Sequence, residues 1–332
     1  MNFALDEQQL LLQRTAREWF EARGGPAAMR AMLDGAAAPD IGDALAAVGF
    51  LGVLVDEERG GSGLEVLDLA VVAEEAGRTL STAPLIAAAW VASLLRSLDT
   101  EPASAALSEI ASGTMSIAVV EEDGAPVIGA LDATSFLAVG GGELVVGRRD
   151  ICEIAGQPQM DPTRGLARVR VPGGKPMGHI APEEVERARR VAEVALAAED
   201  LGTAARCLEM AVDYAKQRVA FGRPIGSFQA IKHMCVEMFA AVEQLRSLVW
   251  YAAWCADHDL PQLPVAASAA KAYSAEAVEL CASTSIQVHG GIGFTWEHDA
   301  HLYWRRAKVD RVLLGDSAHH HARVAELALA RV

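Results

Sequence analysis

Apolar positions recur with a helical period through the N-terminal third of the chain. Leu12, Ala16 and Phe20 stand at every fourth position, which places them on one face of a helix predicted over residues 5–22. Similar patterns predict two further helical stretches, at residues 41–49 and 64–98. We therefore predict an N-terminal helical domain over residues 1–113.

The period changes from four to two in the middle of the chain. Residues 166–171 alternate apolar and polar side chains, as a half-buried strand does. Two mainly apolar runs, 136–139 and 143–146, flank the three glycines at 140–142, a pattern typical of a β-hairpin. These features predict a small β domain over residues 114–177.

The C-terminal part returns to long helical patterns. Pro182, followed by Glu183 and Glu184, is a favourable helix start, because proline suits the first turn and acidic side chains favour the positive end of the helix dipole. Three further helices are predicted at residues 228–258, 264–288 and 299–329. Together they predict a four-helix bundle over 178–332, and hence a mainly α fold with a small central β unit.

The charge balance argues against a nucleic-acid partner. The formal net charge is -15, whereas proteins that bind polyanions present a basic face. Arg187, Arg189 and Arg190 form a basic group, but Glu193 and Glu199 follow on the same predicted helix, so we interpret the group as a solvated helix face. We predict no nucleic-acid binding.

Cysteine usage and the chain start predict a cytoplasmic protein. The five cysteines are odd in number and form no C-x-x-C motif, which favours free thiols in a reducing compartment. The acidic N-terminus lacks the apolar segment of a signal peptide, and no uncharged apolar run is long enough to span a bilayer.

Three consecutive histidines, His319, His320 and His321, are conspicuous. Consecutive positions on a helix spread over about 200°, so the three side chains cannot all bind one metal ion. We interpret them as a solvated or interface cluster and predict no metal site.

Two strings in the C-terminal part have the chemistry of a nucleotide site. The first reads QRVAFGRPI over residues 217–225 and is followed by Gln229, and the second reads QVHGGIGF over residues 287–294. An arginine offers forked donors that suit a pyrophosphate, and adjacent glycines let backbone N–H groups approach a ligand. An ordinary surface arginine and a helix C-cap are the alternative interpretations.

With these strings and its order of helical, β and helical parts, the chain resembles the acyl-CoA dehydrogenase family. The resemblance implies that Arg218 contacts the pyrophosphate of an FAD held by a neighbouring subunit. It also implies that further residues border the same FAD, three along its adenine and ribitol and three around the glycine turn. These are Phe221, Ile225 and Gln229, then Gln287, Gly290 and Gly291.

The chain departs from the family at the catalytic base. Family members remove an α proton from an acyl-CoA with a carboxylate, while the β hydrogen leaves as hydride to the flavin. Leu314 occupies the place of the usual glutamate, and the family's other base position falls on Ala192. No catalytic residue is therefore predicted. A relocated base, Glu193 or Asp316, is the open alternative, although Asp316 also suits a helix N-cap.

The β unit also lacks the Thr-Glu-Pro-x-Ala-Gly-Ser-Asp-like and Trp-Ile-Thr-like strings with which family members hold their own flavin. The chain thus resembles the shortened subunit of α2β2 acyl-CoA dehydrogenases that act on steroid CoA esters. This resemblance implies a catalytic partner subunit, an FAD shared at the subunit interface, an acyl-CoA substrate and an electron-transfer acceptor. A self-sufficient dehydrogenase and a flavin-free scaffold subunit are the competing hypotheses.

Overall fold

The computed structural model describes residues 4–23, 25–122 and 124–330. The N-terminal helices are α1 (Glu7–Glu21), α2 (Pro26–Leu33), α3 (Gly42–Ala47), α4 (Val66–Arg78), α5 (Leu85–Arg96) and α6 (Glu101–Ala111). The central strands are β1 (Ile117–Val120), β2 (Pro126–Val127), β3 (Ser135–Gly140), β4 (Glu143–Arg148), β5 (Glu153–Gly156), β6 (Ala167–Arg170) and β7 (Lys175–His179). The C-terminal elements are α7 (Pro182–Gln217), β8 (Val219–Ala220), β9 (Arg223–Pro224), α8 (Gln229–His258), α9 (Leu263–His289), α10 (Ala300–Asp310) and α11 (Ser317–Leu329).

This architecture confirms the predicted mainly helical fold with a small central β unit. The helical stretch predicted over residues 64–98 is two helices, α4 and α5. Leu80 takes a positive φ of 52° just after α4, and Pro84 disfavours helical geometry at the residue before it. None of the helices within the described ranges is both long and apolar enough to cross a membrane.

The β unit consists of two small sheets. The predicted hairpin is confirmed as β3 and β4, and it extends into a sheet with the order β1-β3-β4-β7. A second sheet has the order β2-β6-β5. Phe136, Ala167 and Val169 belong to a separate small core of this unit, whereas the large core runs through the helices on both sides of it.

The bundle directions follow from contacts along its length. Asp200 of α7 accepts a hydrogen bond from Ser274 of α9, and further along the rings of Tyr214 and His289 lie 4.5 Å apart, so α7 and α9 are parallel. Helix α8 runs the other way, because Tyr273 hydrogen-bonds Gln244 while Cys281 lies against Met238. The ends of α7 and α9 and the start of α8 therefore share one end of the bundle.

The prediction of a single fourth helix over residues 299–329 was wrong. The structure has two helices, α10 and α11, separated at residues 311–316. Leu314 and Gly315 both adopt positive φ values, 56° and 106°, which a helix cannot continue through. Asp316 then starts α11 by accepting a hydrogen bond from the backbone N–H of His319, which confirms the predicted N-cap.

A buried network of charges joins the β unit to the helices. Arg164 binds Glu199 of α7 at 2.5 Å and Asp310 of α10 at 2.5 Å, and all three side chains are almost fully buried. Arg306 of α10 pairs with Asp161 and donates a hydrogen bond to Thr163 at 2.5 Å. Burial alone would raise the pKa of Asp161, but the charges of Arg306 and Arg164 outweigh it and lower the pKa below its ordinary value.

Candidate functional site

A tight hairpin, β8–β9, connects α7 to α8 and carries the first predicted string. Its two turn residues, Phe221 and Gly222, both have positive φ, 52° and 77°, which is the condition for the type I′ turn that suits two-residue hairpins. Glycine adopts this geometry freely, but phenylalanine does so at a cost. The side chain of Phe221 is nevertheless 94% exposed. A residue that combines a strained backbone with an exposed aromatic side chain is typical of a contact surface.

Arg218 lies at the junction of α7 and this hairpin. Its backbone N–H donates to the carbonyl of Tyr214 at 2.8 Å, and its own carbonyl accepts from the N–H of Ile225 at 2.8 Å. Hydrogen bonds thus hold both the N–H and the carbonyl of Arg218. Its side chain is exposed and forms no ion pair with any described residue. Ile225 is half-buried against the bundle core, and Gln229 is exposed at the start of α8.

The second predicted string forms a corner at the end of α9. Gly290 caps the helix with φ of 64° and donates its N–H to the carbonyls of Gln287 and Ile286, so the C-cap interpretation accounts for this glycine. It does not account for Gly291, which lacks a positive φ. A Cβ added at either position would meet no atom within 4 Å in the described structure. The corner is therefore bare backbone that faces open space.

The two strings lie at the same end of the bundle. Tyr214, one turn before Arg218, packs against His289, which immediately precedes Gly290. His289 in turn packs on His298, with ring centroids 4.1 Å apart. Because α8 starts at this end as well, all seven predicted contact residues belong to one surface. We call this surface the lending corner: Arg218, Phe221, Ile225, Gln229, Gln287, Gly290 and Gly291.

The charge and polarity of the lending corner suit an anionic, partly aromatic ligand. Residues 214–236 include four cations and no Asp or Glu, in a chain whose net charge is -15. These four, all exposed, are Lys216, Arg218, Arg223 and Lys232. Exposed aromatic side chains also flank the glycine turn, Phe294 at 64% and Trp296 at 59%. Open glycines, unpaired guanidinium groups and local positive charge fit the pyrophosphate of FAD.

Leu314, which the resemblance sets at the place of the catalytic glutamate, lies beside a cleft of about 420 Å³ between α5, the β unit and residues 311–316. Leu314 lines this cleft, and its carbonyl accepts hydrogen bonds from His320 at 3.0 Å and from Arg189 at 3.4 Å. Arg189 also pairs with Glu121, and both residues line the cleft. The leucine and an ion pair therefore border this cleft.

The two alternative bases are both engaged in structural contacts. The side chain of Glu193 is fully buried and binds Arg190 at 2.6 Å and Arg189 at 3.4 Å. Burial raises the pKa of Glu193, while the two arginines oppose the change. Asp316 caps α11. A general base must reach the proton that it removes, and each of these carboxylates already has a structural partner in this arrangement.

The arginine group predicted as a solvated helix face is mostly a buried one, and that prediction was wrong for two of its members. Arg190 is 4% exposed, and the side chain of Arg189 is 23% exposed. Both face the carboxylate of Glu193 on the same helix. Sequence spacing could have suggested these pairs, three and four residues apart, but only the tertiary structure shows that other elements cover them.

The histidine cluster was also misjudged in part. His319 and His321 are exposed, but His320 is fully buried with its Nε2–H donating to Leu314. Burial lowers the pKa of His320 to about 4, helped by the nearby charges of Lys271 and Arg190 and opposed by the bond to Leu314. Among the described residues, no three His, Cys, Asp or Glu side chains form a metal-binding group.

Acidification should therefore destabilise the chain through His320. The folded state keeps this ring neutral while the unfolded chain takes up a proton near the ordinary pKa of 6.5, so stability is present above pH 6.5 and is lost as the pH falls towards 4. We expect His320→Gln, whose side-chain amide can still donate to Leu314, to flatten this loss in urea unfolding curves. His321→Gln, at the exposed neighbour, is the matched control. Equal pH slopes in His320→Gln and the wild type would contradict the assignment.

The sequence reasoning missed two arginines of this region. Arg223 belongs to the quoted string but was given no role, and Arg189 was interpreted as solvated. The register of the hairpin, which the turn motif implies, could have indicated Arg223. For Arg189 the spacing to Glu193 is a local signal, but its contacts with Glu121 and Leu314 are not, because those residues lie far away in the sequence.

Sequence comparisons match both helical parts of the chain to one family. A model of the acyl-CoA dehydrogenase N-terminal domain matches residues 6–122, and a model of the acyl-CoA dehydrogenase C-terminal domain matches residues 188–329. The chain is 37% identical over 317 residues to the acyl-CoA dehydrogenase IpdE2 of Mycobacterium tuberculosis, with 93% of each chain covered.

Two further similarities concern size and fold. The chain is 36% identical over 300 residues to the acyl-CoA dehydrogenase FadE34 of Mycobacterium tuberculosis, and the match covers 87% of this chain but only 42% of that protein. The fold is similar to a solved variant of the Tcur3481-Tcur3483 steroid ACAD, with a TM-score of 0.85 and 25% identity over 98% of both chains.

Proposed function

The chain belongs to the acyl-CoA dehydrogenase family, and from that premise we propose that residues at one end of its helix bundle complete the binding site of an FAD that is held mainly by a catalytic partner subunit. The assembly would be an α2β2 heterotetramer that introduces an α,β double bond into an acyl-CoA thioester. The observation that carries this proposal is the lending corner. Arg218 forms no ion pair with any described residue, and the backbone at Gly290 and Gly291 is not covered by other described residues of this chain.

The contribution of this chain is binding and positioning. The exposed guanidinium of Arg218 would bind the pyrophosphate, and the backbone at Gly290 and Gly291 would pack against it without interference from a Cβ. Phe221 and Gln229 would border the rest of the dinucleotide. FAD, when bound, supplies the hydride acceptor for the β hydrogen of the substrate.

The acid–base chemistry is assigned to the partner. Leu314 cannot take a proton, and Glu193 and Asp316 are held by other groups. Arg189 and Glu121, which line the cleft beside Leu314, form an ion pair with each other. An unlike pair of subunits, one with the base and one with the lending corner, supplies every group that the family reaction needs.

Two similarities support a paired arrangement and a bulky substrate. FadE34 contains a region similar to this chain within a protein more than twice as long as the matched part, which leaves room for a second unit of similar size. The steroid ACAD whose fold this chain shares is described by two component names. We propose a steroid-type CoA ester as the substrate class, with an electron-transfer protein as the acceptor.

Co-expression tests this function. The chain alone should bind little flavin, and co-expression with an acyl-CoA dehydrogenase encoded beside it should yield a yellow complex that oxidises an acyl-CoA. Arg218→Ala should lower the flavin affinity of that complex by about tenfold or more, since it removes a charge-assisted contact. Arg187→Ala, at the other end of the same helix, is the control and should leave flavin content unchanged.

Other outcomes would favour the competing functions. Stoichiometric FAD binding and turnover by the chain alone would contradict this proposal and favour a self-sufficient dehydrogenase. Loss of that turnover in Glu193→Gln or Asp316→Asn would then identify its base. If the flavin content of the assembled complex is unchanged by Arg218→Ala, the chain would instead be a flavin-free scaffold subunit.

A further inference from the structure

The hairpin register places a second arginine beside Arg218. Ala220 pairs with Arg223, Val219 pairs with Pro224, and the carbonyl of Arg218 accepts from the N–H of Ile225. Residues directly paired across an antiparallel ladder share a face, and so do residues two apart along one strand. Arg218 and Arg223 therefore lie diagonally on one face of the hairpin, within the span that two long side chains can bridge.

The guanidinium of Arg223 is oriented but not neutralised. It lies over the ring of Phe228, 4.2 Å from the centroid, and this stacking occupies one face of the planar group. Its N–H donors point outward from the edge of that plane and stay available. Arg223 is exposed, and no carboxylate of the described residues forms an ion pair with it.

Stacking of this kind holds the group in place before a ligand arrives. An arginine side chain otherwise loses considerable rotamer freedom when it binds, and a pre-oriented one loses less. Arg218 is anchored through its backbone and Arg223 through its ring contact with Phe228. The two forks are thus presented together on one face, in a segment without any acidic residue.

We infer that Arg223 is a second phosphate-binding residue, which joins Arg218 in contacting the diphosphate of the borrowed dinucleotide. This inference rests on the proposed function and deepens it. A diphosphate carries charge and acceptor oxygens on two phosphorus atoms, so two forks match it better than one. The pair therefore favours a dinucleotide such as FAD, in which each phosphate can engage one fork, over FMN, which lacks the second phosphate.

The test uses the co-expressed complex, stripped of flavin and titrated separately with FAD and with FMN. Arg223→Met keeps an apolar stem over Phe228 but removes the charge, and it should weaken FAD binding by about tenfold while changing FMN binding much less. Arg223→Lys should recover part of the loss, because it restores the charge without the fork. Lys232→Met, in the same acid-free segment but on α8, controls for a general effect of charge.

The failures can be told apart. If Arg218→Met weakens FAD binding and Arg223→Met behaves like Lys232→Met, the inference about Arg223 is overturned and the proposed function stands. If neither arginine variant changes FAD binding, the proposed function itself fails. Complex mass and circular dichroism establish assembly for each variant. Should Arg223→Met not assemble, full FAD affinity in Arg223→Gln, or an unchanged FAD-to-FMN preference in Arg223→Lys, would equally overturn the inference.

Discussion

Replacing Gly202 with alanine is expected to destabilise the protein by about 3 kcal/mol or more, because the new methyl group has no space. Helices α4 and α7 cross at this glycine, and a Cβ on Gly202 would lie 1.8 Å from the carbonyl oxygen of Glu74. The same crossing brings a Cβ on Gly77 to within 2.0 Å of the carbonyl oxygen of Glu199. Both obstacles are helix backbone, so the helices themselves must separate.

Urea unfolding of purified protein measures this effect, with soluble yield as the readout if the variant does not accumulate. Gly42→Ala in α3 is the matched control, since its Cβ would meet only the side chain of Asp40 at 3.8 Å. There the same substitution should be neutral or mildly stabilising, because alanine is the better helix former. A Gly202→Ala protein as stable as the wild type would show that α4 and α7 do not cross so closely.

Replacing Arg306 with methionine is expected to cost about 3–5 kcal/mol, because it leaves the buried carboxylate of Asp161 without its ion-pair partner. The Arg306 side chain is fully buried between Asp161 and Glu199, and it also donates to Thr163 and to the carbonyl of Ser81. Methionine fills part of the volume and supplies none of these donors. The loss of stability caused by the substitution should become smaller as the pH is lowered, because Asp161 can then take up a proton.

Thermal and urea unfolding at neutral and acidic pH check this prediction. Arg305→Met, at the neighbouring and partly exposed position, is the control and should change stability by less than about 1 kcal/mol. Combining Arg306→Met with Asp161→Asn should restore part of the lost stability, since the uncompensated charge is then removed. Simple additivity of the two substitutions would argue against direct coupling across this pair.

Local chemistry explains which parts of the fold the sequence could predict. Helices α7, α8 and α9 follow from a long apolar period, and the β3–β4 hairpin from apolar runs around three glycines. The N-cap at Asp316 is equally local, because its carboxylate binds the N–H only three residues later. The two C-terminal strings pointed to residues that, apart from the half-buried Ile225, prove to be exposed, and their contact with FAD stays a prediction.

The expectations that failed concern burial. His320 and Arg190 are polar residues on helices, for which exposure is the ordinary outcome, yet both are covered by other elements. The break between α10 and α11 has a similar cause: Leu314 is held at a positive φ while His320 and Arg189 bind its carbonyl. Arg189 lies far away in the sequence, but Gly315 and the N-cap residue Asp316 are local signals of the break, and the prediction of one continuous helix did not take them into account.

The sequence alone thus determined the long bundle helices α7 to α9, the β3–β4 hairpin, the family resemblance and the residue types of the lending corner, since periodicity, caps and turn chemistry act between near neighbours in the chain. The tertiary structure decided that these residues share one surface. That result required α7 and α9 to run parallel and α8 to return between their ends, so that Arg218 and Gly290 meet through Tyr214 and His289. Helix direction and crossing depend on the packing of whole faces, and packing is a property of the assembled chain.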